Sequence, residues 1–234
     1  MESEGRKLHA QAAQAREAGN TAESLYRGDD ALLAYDTADD SAGFAELLAD
    51  RSITLRNYAN QQESESRRLL ILAKHEMMAS VEIAQEAGDP TALALPMYNY
   101  AKVLEDLGEI SQAVSSYQEA VTHMEQNPPE SHNRPSVLLD MKIHLCAAEA
   151  KNGDESAQKR LEELVNQLEQ TEEPSQYAKD VWVSGGYMKL AEAFKAYQQK
   201  SQEYLKKAQT IADGNPELSE RRKQIDKLAQ TLRY

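Results

Sequence analysis

An internal period of 40 to 44 residues constrains this chain more than any single motif does. A small residue is followed four positions later by a bulky one and three positions after that by another small or apolar one. The pattern reads Ala31/Tyr35/Ala38, Ala73/Met77/Ser80, Ala113/Tyr117/Ala120, Ala157/Leu161/Leu164 and Ser201/Leu205/Ala208, with starts separated by 42, 40, 44 and 44 residues. Spacings of four and seven put the three side chains of each set on one face of a helix. The small residues let a neighbouring helix approach, and the bulky one fills the space between. A second pattern lies 14 to 16 residues ahead: Met97/Tyr100/Ala101/Leu104, Met141/His144/Leu145/Ala148, Tyr187/Leu190/Ala191/Phe194 and, in small residues, Ala15/Ala18/Gly19/Ala22. Each unit therefore reads as one helix, a short turn and a second helix. A fixed period of this length predicts a stacked repeat architecture.

Breakers punctuate the same period. Leu107-Gly108-Glu109, Asn152-Gly153-Asp154 and Arg27-Gly28-Asp29 read as turns inside units. Gly88-Asp89-Pro90, Asn127-Pro128-Pro129, Glu172-Glu173-Pro174 and Gly214-Asn215-Pro216 read as stops between units, with Asp89-Pro90 and Asn215-Pro216 as cap and first helical position. The second unit is the irregular one: its first helix covers about 42–61, and 61–66 reads as a longer connection. The repeats are placed at about 6–41, 42–88, 90–128, 135–173 and 175–214, within one domain spanning 1–234. The remaining segment, 217–234, reads as a lone capping helix with Leu218, Ile225, Leu228 and Leu232 as its apolar stripe and Arg221, Arg222, Lys223 and Lys227 covering the rest. The expected fold is all-α: about five helix pairs and a C-terminal cap.

Composition agrees with helices and narrows the function. The chain has 33 Ala but only 15 Val plus Ile and 2 Phe, so there is little material for a sheet. A net charge of −13 argues against nucleic-acid binding, which needs a basic surface. Charge is uneven: 189–234 holds 10 basic and 6 acidic residues, so the rest is strongly acidic. Apolar runs stop at five residues, against the ~20 that a membrane-spanning helix needs. The start is polar, without a signal-peptide apolar stretch, and the single cysteine, Cys146, forbids an intrachain disulfide; a cytoplasmic protein is expected.

Motifs for chemistry fail one by one. His75-Glu76 begins like a zinc-protease motif, but the position needing the second histidine is Ala79. His9, His75, His123, His132 and His144 share no ligand spacing, and Cys146 has no second thiol. The acidic run Asp29, Asp30, Asp36, Asp39 and Asp40 lacks the order of a calcium loop. Gly185-Gly186 sits in a helical stretch, where it permits close packing or a kink rather than cradling phosphate. No cofactor, no metal and no enzymatic activity are expected. Arg67-Arg68 is too little for the phosphate pocket of the all-helical 14-3-3 adaptors, which share this length and acidity.

The residues do carry a resemblance. The stretch 98–120, YNYAKVLEDLGEISQAVSSYQEA, closely resembles a tetratricopeptide repeat, as does 190–196, LAEAFKA, followed by 204–208, YLKKA. EAGN at 17–20 is a fainter copy. The long period and the ending IAQEAGD at 83–89 look like the extended repeats of kinesin light chain, spindle-orientation adaptors and bacterial peptide-sensing regulators. The resemblance implies a right-handed superhelix whose first helices line a concave groove that binds a protein or peptide segment, and it implies no chemistry. In that register the groove side chains are Arg16, Asn20 and Glu23; Tyr98, Lys102 and Glu105; Lys142, Cys146 and Glu149; and Met188, Glu192 and Lys195. Asn99 takes the place of the asparagine with which peptide-binding members hold a ligand backbone. The partner is expected to be protein or peptide, with no nucleic acid and no membrane. The alternative is a regulatory sensor that takes a small peptide signal and changes pitch, although repeat-like sequence begins near Arg6 and leaves no effector segment ahead of it. An enzyme on a helical-repeat scaffold is the remote alternative.

Overall fold

A computed structural model of the chain describes residues 3–62 and 66–232. Eleven α-helices follow one another among the described residues: α1 (Glu4–Glu17), α2 (Thr21–Thr37), α3 (Ser41–Ala59), α4 (Ser66–Glu86), α5 (Ala94–Leu107), α6 (Ile110–Gln126), α7 (Pro135–Lys151), α8 (Ser156–Gln170), α9 (Gln176–Ala193), α10 (Gln198–Gly214) and α11 (Ser219–Thr231). Short 3-10 turns occupy Pro90–Ala92 and Glu130–His132. Helices pack with their sequence neighbours, α1 on α2 through α9 on α10, giving five pairs and a last single helix. The contacts divide the chain into two compact units, 1–129 with α1 to α6 and 130–234 with α7 to α11.

The turns explain the pairing. Gly108 has φ 80° and ends α5; its N–H bonds Glu105 O and the next N–H, of Glu109, bonds Leu104 O. Gly19 (φ 75°) after α1 and Gly153 (φ 99°) after α7 repeat the arrangement, because only glycine enters the left-handed region without strain. Asp39 takes the same role between α2 and α3 at φ 56°. Ser175 and Asp40 cap the next helices, accepting from Ala178 N and Gly43 N.

The first pattern is the inner face of the second helices. Ala73, Met77, Ser80, Ala113, Tyr117, Ala120, Ala157 and Leu161 are all fully buried, as are Ala31 and Ala208. Where serine replaces alanine, the buried hydroxyl finds a carbonyl on the facing helix: Ser80 Oγ donates to Ala45 O at 2.7 Å and Ser201 Oγ to Ala191 O at 2.7 Å. Three third or bulky positions differ. Ala38 is exposed at the end of α2, and Leu164 and Leu205 are half-buried, with Val165 and Leu168 taking the core of α8 instead.

Several expectations shift. Arg27-Gly28-Asp29 is not a turn: Gly28 lies buried within α2, where the Arg51 side chain crosses it, 3.2 Å from where a Cβ would be. The turn is at Gly19, so Ala15/Ala18/Gly19/Ala22 straddles two helices and is not one face. Asp89-Pro90 starts a 3-10 turn, with Asp89 accepting from Thr91 N, and α5 begins only at Ala94. Asn215 caps a turn by accepting from Glu217 N, so the last helix begins at Ser219. The second unit's connection at 61–66 falls partly on 63–65, outside the described residues. Gly185-Gly186 is inside α9 as read, and Gly186 is a packing glycine: a Cβ there would stand 3.1 Å from Val165 Cγ2.

Candidate functional site

Most of the candidate residues sit on first helices of the pairs, on α1, α5, α7 and α9. In α5, Lys102 is half-buried, with its ammonium 3.9 Å from the centroid of the Tyr98 ring. That ring is only 6% exposed and lies against Tyr117, centroids 5.7 Å apart. Tyr98 therefore belongs mainly to the packing between α5 and α6. The expectation that it stands in solvent is corrected, because the Tyr117 ring on α6 covers it. Glu105 accepts from the Tyr117 hydroxyl at 2.9 Å. Burial, reinforced by Glu105, pushes the Tyr117 hydroxyl well above the usual tyrosine range. Asn99 is half-buried on the same helix.

Beside these residues, Arg56 of α3 donates to Asp106 of α5 at 2.7 Å, and Asn60 donates to the same carboxylate at 3.3 Å. This link ties two successive first helices together. Nothing in sequence marked it, since the partners are 50 residues apart and both look like ordinary surface charges.

The stripe Arg16/Asn20/Glu23 does not form. Asn20 is the cap of α2 and accepts from Glu23 N, so the three residues span a turn. Arg16 instead joins a cluster that fastens α1 to α3, with its guanidinium 3.0 Å from Asp50 Oδ2, the same carboxylate that lies 3.2 Å from His9 Nε2. His9 Nδ1 lies 3.2 Å from the Tyr35 hydroxyl. Burial raises the Asp50 pKa, but the hydrogen bond from His9 and the charge of Arg16 outweigh it and hold the carboxyl below its ordinary 3.8. A depressed carboxylate stabilises the folded state above its unfolded pKa. That contribution is expected to disappear as pH falls below about 4 through the folded value. Asp50→Asn should remove this part of the acid dependence, measured as urea midpoints between pH 7 and pH 3; an unchanged acid profile would show that Asp50 is not a linked group.

In the second unit, Lys142 of α7 is half-buried and Cys146 is 6% exposed, packed into the core. Burial pushes its thiol up to about 11, which suits packing and not reactivity. Glu149 accepts from Arg160 of α8 at 2.9 Å. Glu192 of α9 pairs with Lys151 of α7 at 3.2 Å and with Lys189 at 3.7 Å. Lys195 lies beyond the end of α9 and is exposed, so it leaves the stripe of Met188 and Glu192. Met188 Sδ is 3.6 Å from Arg221 Nη1. Arg221 and Arg222 turn inward and do not cover a solvated face as expected. Arg222 donates to the carbonyls of Ala212 (2.6 Å), Asn215 (3.0 Å) and Pro216 (3.1 Å), closing the end of α10.

Among the described residues no group of three or more His, Cys, Asp or Glu is placed to hold a metal ion, and no helix is long and apolar enough to cross a membrane.

Solved structures are similar to this chain over most of its length. A Podosopora anserina putative kinesin light chain with nearly identical TPR-like repeats matches at TM-score 0.60 and 17% identity, covering 90% of this chain and 96% of that one. A single-substitution variant of the same protein matches at TM-score 0.61 and 17% identity, over 88% and 93%. BtubC (BKLC) from P. vanneervenii aligns at TM-score 0.49 and 13% identity, over 91% and 92%. No protein-family model and no curated protein matches the sequence. The chain has the TPR-like helical-repeat fold, as the sequence resemblance implied.

Proposed function

We propose that the chain is a non-enzymatic interaction module that binds a protein or peptide segment along the exposed faces of its first helices. The observation that carries this reading is the side-by-side placement of first helices within each unit. In the first unit α3 and α5 are joined by Arg56–Asp106, and in the second α7 and α9 by Lys151–Glu192. Asn99 and Lys102 keep part of their surface in solvent on the face of α5 that carries Asp106, and Lys142 on α7 is also part-exposed. Half-buried amides and ammonium groups on a rigid helical support suit an extended backbone and its carbonyls. Helical-repeat proteins of this fold generally act through protein partners, and the paired, capped helices give a stable platform for one. A cytoplasmic setting fits the single reduced cysteine.

The test needs a partner captured from lysate and identified by mass spectrometry, then titrated against Lys102→Ala and Lys142→Ala. Each change should weaken binding by about tenfold, or ~1.4 kcal/mol, while leaving the helical signal unchanged. Wild-type affinity in both variants would move the site to another surface.

A further inference from the structure

Arg221, on α11, is a recessed guanidinium without an acidic partner. It is half-buried, and burial lowers its pKa against the opposing influence of Asp140 and Tyr177. Among the described residues no carboxylate lies within ion-pair distance of it. Its contacts are neutral: Nη1 to Gln224 Oε1 at 3.0 Å and Met188 Sδ at 3.6 Å, and Nη2 to Val181 O at 3.1 Å. A guanidinium has five N–H groups. These contacts use both on Nη1 and one on Nη2, which leaves the Nε–H and one Nη2–H.

The position is built by α9. Gly185 has no side chain there, and a Cβ would stand 3.5 Å from Arg221 Nη2. Any residue larger than alanine would crowd the guanidinium away from the helix. Val181, Gly185 and Met188 thus form a seat, about one turn apart along α9, and Met188 belongs to the first-helix stripe already described. A charge taken this far out of water is costly unless it is paired. Other half-buried arginines, Arg16, Arg51 and Arg56, each meet a carboxylate. Arg222, also on α11, closes helix carbonyls instead, so Arg221 is not needed for that task.

We propose that Arg221 recognises a carboxylate of the bound segment, through its remaining Nε–H and Nη2–H, at the α9–α11 end of the second unit. The proposal rests on first-helix binding and names the chemistry of the partner: a protein segment with an acidic side chain or a free C-terminus. Asp140 stands near enough to act on Arg221 electrostatically. It disfavours a dianion such as phosphate more than a single carboxylate, because like charges repel in proportion to their product. A planar carboxylate also matches two parallel donors of one guanidinium.

The test uses the full chain labelled with nitrogen-15 at arginine, followed by NMR at the Arg221 Nε–H signal, with a second, uniformly labelled sample to read the helix amides. Three tripeptide probes are titrated: leucine–glutamate–leucine capped at both ends, leucine–glutamine–leucine capped at both ends, and leucine–glutamine–leucine with a free C-terminus. One or both carboxylate probes should move the Arg221 signal at a concentration about tenfold lower than the neutral probe does. The tighter of the two shows which kind of carboxylate the site takes. Arg221→Gln should abolish the preference, Arg221→Lys should keep part of it, and Arg222→Gln should leave it intact. If Arg221→Gln only lowers the melting temperature, and wild type does not discriminate between acidic and neutral probes, Arg221 is a structural clamp and the proposal fails. It also fails if no probe moves the signal up to a concentration of about 10 mM. Equal shifts of α5, α7 or α9 amides by acidic and neutral probes would reject Arg221 while keeping first-helix binding. Shifts confined to α8 and α10 would reject both.

Discussion

Ala113→Glu is expected to unfold the third helix pair and to cost about 4 kcal/mol or more, one of the two largest effects foreseen for a single substitution in this chain. Ala113 is fully buried on α6, one turn before Tyr117 and two before Ala120, which are also fully buried. Their face lies on α5, and that pair is among the most closely packed in the fold. Glutamate there adds a methylene and a carboxylate to a space that accepts one methyl, and it places a charge among fully buried side chains. Overfilling alone costs ~1–3 kcal/mol, and the buried charge adds several more. Circular dichroism melts and urea titrations read the result. A melting temperature within about two degrees of wild type would mean that Ala113 does not face α5.

Tyr98→Ala is expected to destabilise the chain by ~3 kcal/mol, the usual cost of deleting a buried aromatic ring. The ring is 6% exposed, packs against Tyr117 and carries the Lys102 ammonium on its face. Tyr98→Phe should cost much less, because the ring contacts remain. The pair separates packing from any use of the hydroxyl, and urea midpoints measure both. A change below about 0.5 kcal/mol for Tyr98→Ala would place the ring outside the core. For the same reason Tyr98→Ala is a poor probe of binding, and Lys102 and Lys142 serve that purpose better.

These two residues show how much was legible. Ala113 was found by a spacing of four and seven, which depends only on helix geometry and the local run of side-chain sizes. The same logic located the five pairs and the apolar stripe of the last helix, and the breaker residues located the turns at Gly108 and Gly153. Tyr98 was placed on the right helix but given the wrong surroundings. Helical spacing assigns a residue to an angle on its own helix; what stands opposite that angle depends on how the partner helix is rotated. Tyr117 decides it for Tyr98, and it lies 19 positions further along the chain.

Glycines make the same division. Gly19 and Gly28 look alike locally, each followed by an Asn or Asp. Gly19 ends α1 at φ 75°, whereas Gly28 stays inside α2, where Arg51 of α3 comes across it. Arg221 is the corresponding case among charges. Its amphipathic position predicted a solvated side chain, and only the notch at Gly185, 36 residues earlier, shows that it turns inward.

The sequence by itself determined the all-helical class, the count of helix pairs, most of the turns and the residues that fill the space between paired helices. Each of these is set by interactions within a few residues or by the repetition of one short pattern. The tertiary structure alone decided which stripe of each first helix is covered, which charges are linked across helices and that the Arg221 guanidinium turns inward onto α9. Those outcomes depend on the volumes and approach angles of side chains tens of residues apart, which no local spacing encodes.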